Sequence, residues 1–234
     1  MVDRKQSLLG MGIYSVPEAS RLTGVSAQRI RRWLTGYTFK TQKGVHASPP
    51  LWQRQIVSED SLALSFRDLL EVRFVNAFRQ HGVRWKTLRI AAECAAEIIQ
   101  DTHPFSTKKF KTDGRSIFAD IVQDTGEKSL LDLAKSQYEF KQVVEPFLFE
   151  GLEFSEPGIQ PVRWWPLPHS RRVVIDPERS FGRPIIAPES VPTEVLARAF
   201  RAEGSTEAVA RWFMVDPKAV DDAVNFEKKL ALVA

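Results

Sequence analysis

Apolar positions recur at helical spacing through most of the chain, and the stretch SVPEASRLTG sets the pattern. Ser15 and Glu18 stand three residues apart, as in a capping box, and Gly24 supplies the positive φ of a tight turn. The spacing predicts a short helix from about residue 16 to 23. Ser26 is placed to cap a second helix, AQRIRRWL, which ends before Gly36. Val25, Ile30 and Trp33 fall on its inward positions, with the small Ala19 and Ser20 where the helices cross. That arrangement is a helix-turn-helix, and Gln28, Arg29, Arg31 and Arg32 lie off its apolar face. YTFKTQKGVHASPPLWQRQIVS follows, and its Lys43-Gly44 turn predicts a two-stranded wing. Ser65 can cap a third helix, with Phe66, Leu69, Leu70, Phe74 and Phe78 at helical spacing and Gly82 at its end. A fourth, WKTLRIAAECAAEIIQ, carries alanines that permit close helix contact.

Beyond residue 104 the pattern changes. In KKFKTDGRSIFADIV, Asp113-Gly114 predicts a hairpin between two short strands. Residues 129–149 return to helical periodicity, and LEFSEPGIQPVRWWPLP reads as extended chain. Adjacent tryptophans on a strand usually place one ring in the core, so Trp164 and Trp165 are read as packing residues before ligand-stacking ones. The tail opens with the strand RRVVIDP and closes in three helices broken at Gly204-Ser205 and Asp216-Pro217. Its last two helices repeat a helix-turn-helix scheme, with Val209, Ala210, Phe213, Val215, Val220 and Ala223 inward and Met214 at the usual glycine position. The expected fold class is mainly α, in three parts. They are a winged helix-turn-helix over residues 1–104, a small α+β module over 105–170 and a trihelical domain over 171–234.

With 234 residues and 43% apolar content the chain can bury real cores. It has no apolar run long enough to span a bilayer, and MVDRKQSLLGMG lacks the features of a secretory signal, so a cytoplasmic location without membrane association is expected. Cys94 has no cysteine partner and no neighbour at metal-ligand spacing. His46, His81, His103 and His169 are scattered, and neither a phosphate loop nor a nucleophile elbow is present. No catalytic residue, metal site or cofactor is therefore expected. His81 suits a helix C-terminus, and His103, before Pro104, suits a loop. Charge is more informative by segment than through the net +4. Residues 1–54 hold nine Lys/Arg against Asp3 and Glu18, a balance that suits a polyanion. Residues 205–224 set Arg211 and Lys218 against Glu207, Asp216, Asp221 and Asp222, which repels phosphate. The second helix-turn-helix is thus read as a fold-forming element of a protein-binding or dimerising domain.

The order YSVPEASRLTGVSAQRIRRW, a wing, then DLLEVRFVNAFRQHGVRWKTLRIA resembles the winged DNA-binding domain of the MerR-type regulators. The resemblance implies that Arg31 meets the DNA backbone, while Arg32 and Trp33 stand where that family usually has two aromatics. No long dimerisation coiled coil follows. FGRPII, VPTEVL, EGSTEAVARWF and AVDDAVNFE together resemble a small domain, formerly of unknown function, found in prokaryotic antitoxins that accompany PIN-type ribonuclease toxins. Over nearly its whole length the chain resembles a VapB-type antitoxin with a winged N-terminal domain.

The function this implies is that of a type II antitoxin, which binds its own operator DNA and neutralises a PIN-type ribonuclease toxin. Ser26, Gln28, Arg29, Arg31, Arg32, Lys40, Lys43 and Arg54 are the candidate DNA contacts. A homodimer is expected, because paired helix-turn-helix units read operators in two copies. PIN-type nucleases, by the same resemblance, cluster carboxylates around metal. A guanidinium is suited to block such a site, which nominates Arg171, Arg172 and Arg183. Arg183, in GRP, is equally placed to hold a turn through backbone carbonyls. The alternative is a MerR-like single-component regulator whose middle module senses a small molecule; it accounts for the front as well and for the tail less well.

Overall fold

The structure is a computed structural model and describes residues 8–42, 44–58, 61–125, 149–155 and 160–233. Strand β1 (Tyr14–Ser15) runs straight into helix α1 (Val16–Thr23) through the expected capping box. Glu18 N donates to Ser15 Oγ at 3.4 Å, and Ser15 N donates back to the Glu18 carboxylate at 2.8 Å. Gly24, at φ 71°, turns the chain into α2 (Ala27–Thr35). Ser26 precedes α2 but makes no capping bond, contrary to the expectation from its position. Its side chain stays exposed instead. α2 ends at Gly36, φ 73°, where a Cβ would lie 2.4 Å from the Ser48 carbonyl oxygen. Only glycine lets the helix stop against the antiparallel hairpin of β2 (Tyr37–Thr41) and β3 (Gly44–Ser48).

Strand β4 (Ala63–Leu64) pairs with β1, and Ser65 and Asp68 form a second capping box at the start of α3 (Phe66–Gln80). Helix α4 (Trp85–Ile99) follows. The predicted hairpin at Asp113-Gly114 is instead the interior of a helix, α5 (Lys108–Thr125). Phe110, Gly114 and Ile117 are all buried, at intervals of four and three residues. Phe110 packs edge-on to Phe105 and Phe78. Burial of that stripe outweighs the local turn preference of Asp-Gly. Most of the helix predicted over 129–149 lies outside the described residues.

Strands β5 (Leu152–Phe154), β6 (Pro161–Trp164), β7 (Val173–Ile175) and β8 (Pro184–Ile186) form one antiparallel sheet in that order. Helices α6 (Thr193–Glu203), α7 (Thr206–Phe213) and α8 (Pro217–Val233) complete the chain, broken where the sequence predicts. The described residues thus hold eight α-helices and three small antiparallel sheets. The architecture is mixed α/β where a mainly α fold was expected: β2, β3, β5, β6 and β7 fall where the sequence places wing, extended chain or strand, while β1, β4 and β8, of two or three residues, are too short to show a period-2 pattern.

Two cores form. The first runs from Tyr14 through α1–α4 and takes in Phe110, Phe149, Leu152 and Trp164; the second joins α6–α8 to the sheet. β7 serves both, with Ile175 in the first core and Val173 in the second, and Leu22 of α1 packs against each. A clamp draws the two together. Ile13 N donates to Phe181 O at 3.0 Å, and the Tyr14 hydroxyl donates to Gly182 O at 2.8 Å. A Cβ on Gly182, φ 81°, would lie 2.2 Å from that hydroxyl. Ser180 and Phe181 also adopt left-handed backbone, at φ 49° and 54°, a strained geometry held by these bonds. Burial, reinforced by the Glu18 and Asp176 carboxylates, pushes the Tyr14 phenol far above its ordinary pKa, so it remains a donor.

Behind α3 lies a buried polar hub. Asp68 Oδ2 accepts from Ser65 N and Oγ, both at 2.9 Å, and Oδ1 accepts from Trp52 Nε1 at 2.8 Å. His103 Nε2 meets Oδ1 at 2.8 Å, with both side chains fully buried. His103 is in a loop, as expected, but its side chain is a buried hydrogen-bond partner of Asp68. Glu71 accepts from Phe105 N and Ser106 N at 3.0 and 3.1 Å, and Arg67 pairs with Asp101 at 2.7 Å. Burial opposes the Asp68 charge, but the His103 bond and charge, with the Ser65 and Trp52 bonds, hold this carboxyl below the usual range.

Tyr14→Phe strands the Gly182 carbonyl and should cost about 1–3 kcal/mol in urea denaturation. Asp68→Asn should cost about 3–5 kcal/mol at neutral pH by leaving His103 without its carboxylate. A depressed carboxyl pKa contributes stability above the unfolded value, near 4, and loses it as pH falls through the folded value. The melting gap between wild type and Asp68→Asn should therefore narrow below about pH 4.

Candidate nucleic-acid interface

Helix α2 owes its orientation to Ile30, Trp33 and Leu34, which bury its inner face in the first core. Gln28, Arg29, Arg31 and Arg32 are consequently exposed. Arg32 lies over the Tyr37 ring, 5.3 Å from its centroid, which fixes this guanidinium at the base of the hairpin. Ser26 is exposed at the start of α2, and Lys40 is exposed on β2. Lys43 lies outside the described residues. Arg54 is half-buried in the segment after the hairpin.

The hairpin is fastened to α4 by a residue not anticipated as part of the interface. Arg89 donates to Pro49 O at 2.8 Å, Ser48 Oγ at 3.0 Å and Pro50 O at 3.1 Å. Its guanidinium also lies over Trp85, which stacks on Trp33 at 6.0 Å between centroids and 18° between planes. The base of the hairpin, α2 and α4 are thus one assembly. Nothing local in the sequence pointed to Arg89, some forty residues from the hairpin. Phe39 and His46 stack across the strands at 5.5 Å, leaving Phe39 and Val45 partly exposed near the tip.

The three arginines assigned to a second partner occupy different settings. Arg171 pairs with Glu153 and lies over Trp165 at 4.8 Å, while Arg172 pairs with Asp222 of α8 at 3.2 Å. Both join the sheet to its surroundings. Arg183 is exposed, and the Gly182 carbonyl beside it is taken by Tyr14. Trp164 is buried beneath Arg73, 4.4 Å from its centroid, and Trp165 is half-buried, as expected of adjacent rings. Among the described residues no group of three or more His, Cys, Asp or Glu is placed to hold a metal ion. None of the described helices is long and apolar enough to cross a membrane.

Similarity to known proteins extends over almost the full chain. No protein-family model matches it. Over 223 residues it is 25% identical to a Mycobacterium tuberculosis protein named "Putative antitoxin VapB45", spanning 91% of this chain and 92% of that protein. The chain is a distant homologue of that protein. Among solved structures, the X-ray crystal structure of Rv2018 from Mycobacterium tuberculosis superposes with a TM-score of 0.71 at 24% identity. The match covers 92% of this chain and 98% of that one, so the two share a fold nearly end to end.

Arg89→Ala removes three hydrogen bonds that hold the base of the hairpin to α4. Amide exchange at residues 44–48 and Leu51 should accelerate about tenfold or more, while protection in α6–α8, whose core is separate, stays unchanged.

Proposed function

We propose that this chain is the antitoxin of a type II toxin–antitoxin module, binding its own operator through a MerR-like front and neutralising a PIN-type ribonuclease. The observation that carries the reading is homology along nine-tenths of the chain to a protein named as an antitoxin. The exposed row of Gln28, Arg29, Arg31 and Arg32 beside a two-stranded hairpin supports the DNA half. In this reading α2 enters the major groove, with Arg31 on the backbone, and Ser26, Lys40, Lys43 and Arg54 add flanking contacts. Two copies bind together, one per half-site. The protein acts by binding and catalyses nothing. Of the three arginines proposed to meet the toxin, Arg183 fits best, since Arg171 and Arg172 already hold internal carboxylates.

A second reading, a regulator that senses a small molecule, is favoured by one feature. A cleft of about 450 Å³ opens between the front and the sheet, with Gln55, Arg67, Gln160 and Arg163 on its walls. Co-expression with the product of the neighbouring reading frame separates the two. Co-purification of a nuclease whose activity the chain abolishes supports the antitoxin, and an unpartnered chain refutes it. Arg31→Ala should weaken binding to a duplex from the gene's own upstream region about tenfold and lower the salt slope by about one. Unchanged gel-shift affinity and slope for that variant would remove Arg31 from the interface.

A further inference from the structure

The cleft between α2 and the α3–α4 turn has a chemistry that the helix-turn-helix alone does not require. It encloses about 450 Å³, and Arg29, Arg32 and Arg79 line it together with Gln80. No carboxylate among its described lining residues balances these guanidiniums. Each is differently prepared. Arg32 is held over Tyr37, Arg79 donates to Val83 O at 2.5 Å, and Arg29 is exposed. One wall is the Trp33–Trp85 stack, and the Trp85 indole nitrogen is buried with no hydrogen-bond partner. Three guanidiniums sharing one cleft repel one another unless an anion joins them.

From this juxtaposition we infer that the cleft is a phosphate-ester site. The guanidiniums take the phosphate oxygens through charge-assisted bonds, and the indole wall packs the attached sugar or base. The ester has two possible sources, a backbone phosphate of duplex DNA lying along α2 or the phosphate of a free nucleotide. The first source rests on the operator-binding reading, whereas the second stands without it. Arg79, Gln80 and Trp85 lie far beyond α2 in sequence, so the site exists only once the turn between α3 and α4 is folded against the helix.

The test uses the full chain, adenosine 5′-monophosphate followed by tryptophan emission, and a duplex from the gene's own upstream region followed by gel shift. Gln80→Glu places a carboxylate in the cleft at an exposed position that leaves the core intact, and Asn225→Asp on α8 makes the same charge change elsewhere. Arg79→Gln removes a cation; if loss of its Val83 bond prevents folding, Gln80→Glu carries the test. A saturable emission change with the mononucleotide, weakened about tenfold by Gln80→Glu and not by Asn225→Asp, supports a free nucleotide as the source. No response to the mononucleotide, with duplex affinity reduced about tenfold by the cleft variants alone, supports the DNA backbone. A wild-type chain that binds the duplex while the cleft variants match Asn225→Asp in both assays overturns the cleft and leaves the operator reading standing. A mononucleotide bound through the cleft by a chain that ignores the duplex does the reverse. Binding to neither probe overturns both.

Discussion

Three separate stretches of chain converge on the carboxylate of Asp68. Ser65 starts α3 through it, Trp52 anchors the segment leaving the hairpin, and His103 brings in the loop between α4 and α5. The hub sits in a setting where an unpaired charge is severely penalised, so each partner depends on the others being present. Its reach extends to the interface. Leu51, next to Trp52, donates its amide to Trp33 O at 2.8 Å, which ties the same segment to the end of α2. On the other side, the loop held by Glu71 and Asp68 delivers Phe105 against Phe78 and Phe110. A single buried carboxylate therefore links the placement of the proposed reading helix to the packing of α5.

The chain contains two pairs of consecutive helices, α1–α2 joined through Gly24 and α7–α8 through Met214, with opposite charge balance, and the structure explains part of the difference. In the front pair the arginines of α2 are exposed. In the tail pair some acids are anchors. Asp222 pairs with Arg172, Asp221 accepts from Thr206 Oγ1 at 3.1 Å, and Asp216 caps the start of α8 by accepting from Lys218 N at 2.7 Å. The acidity of the tail thus has internal uses and is not simply an acidic docking face. Met214 takes φ 54° at the position where glycine is usual, and it and Trp212 are 85% and 62% exposed. The tail pair keeps a left-handed turn between its helices while presenting a surface unlike that of the front.

The Tyr14–Gly182 clamp makes the front and tail mechanically continuous. FGRP was legible in the sequence as part of a family resemblance, but the reason for its glycine was not. A hydroxyl from a residue 168 positions away occupies the space where a side chain would be. Arg183, considered for bracing this turn, is exposed, and the bracing comes from β1 instead.

Local physics determined much of this protein. Capping boxes at Ser15 and Ser65, glycines at 24, 36 and 204, and the helical spacing of apolar residues set the ends of most helices, because each depends on neighbours within a few residues. The exposure of Gln28, Arg29, Arg31 and Arg32 follows from the same periodicity. Tertiary structure decided what local preference could not. It made Asp113-Gly114 helical, because a buried apolar stripe gains more than a turn does, and it paired β1 with β4 and β8 with β7, strands too short to announce themselves. It brought the loop residue His103 onto the Asp68 carboxylate, and Arg79 and Trp85 beside α2. These are contacts between residues far apart in sequence, whose energies depend on desolvation and close packing, and neither exists until the chain has folded.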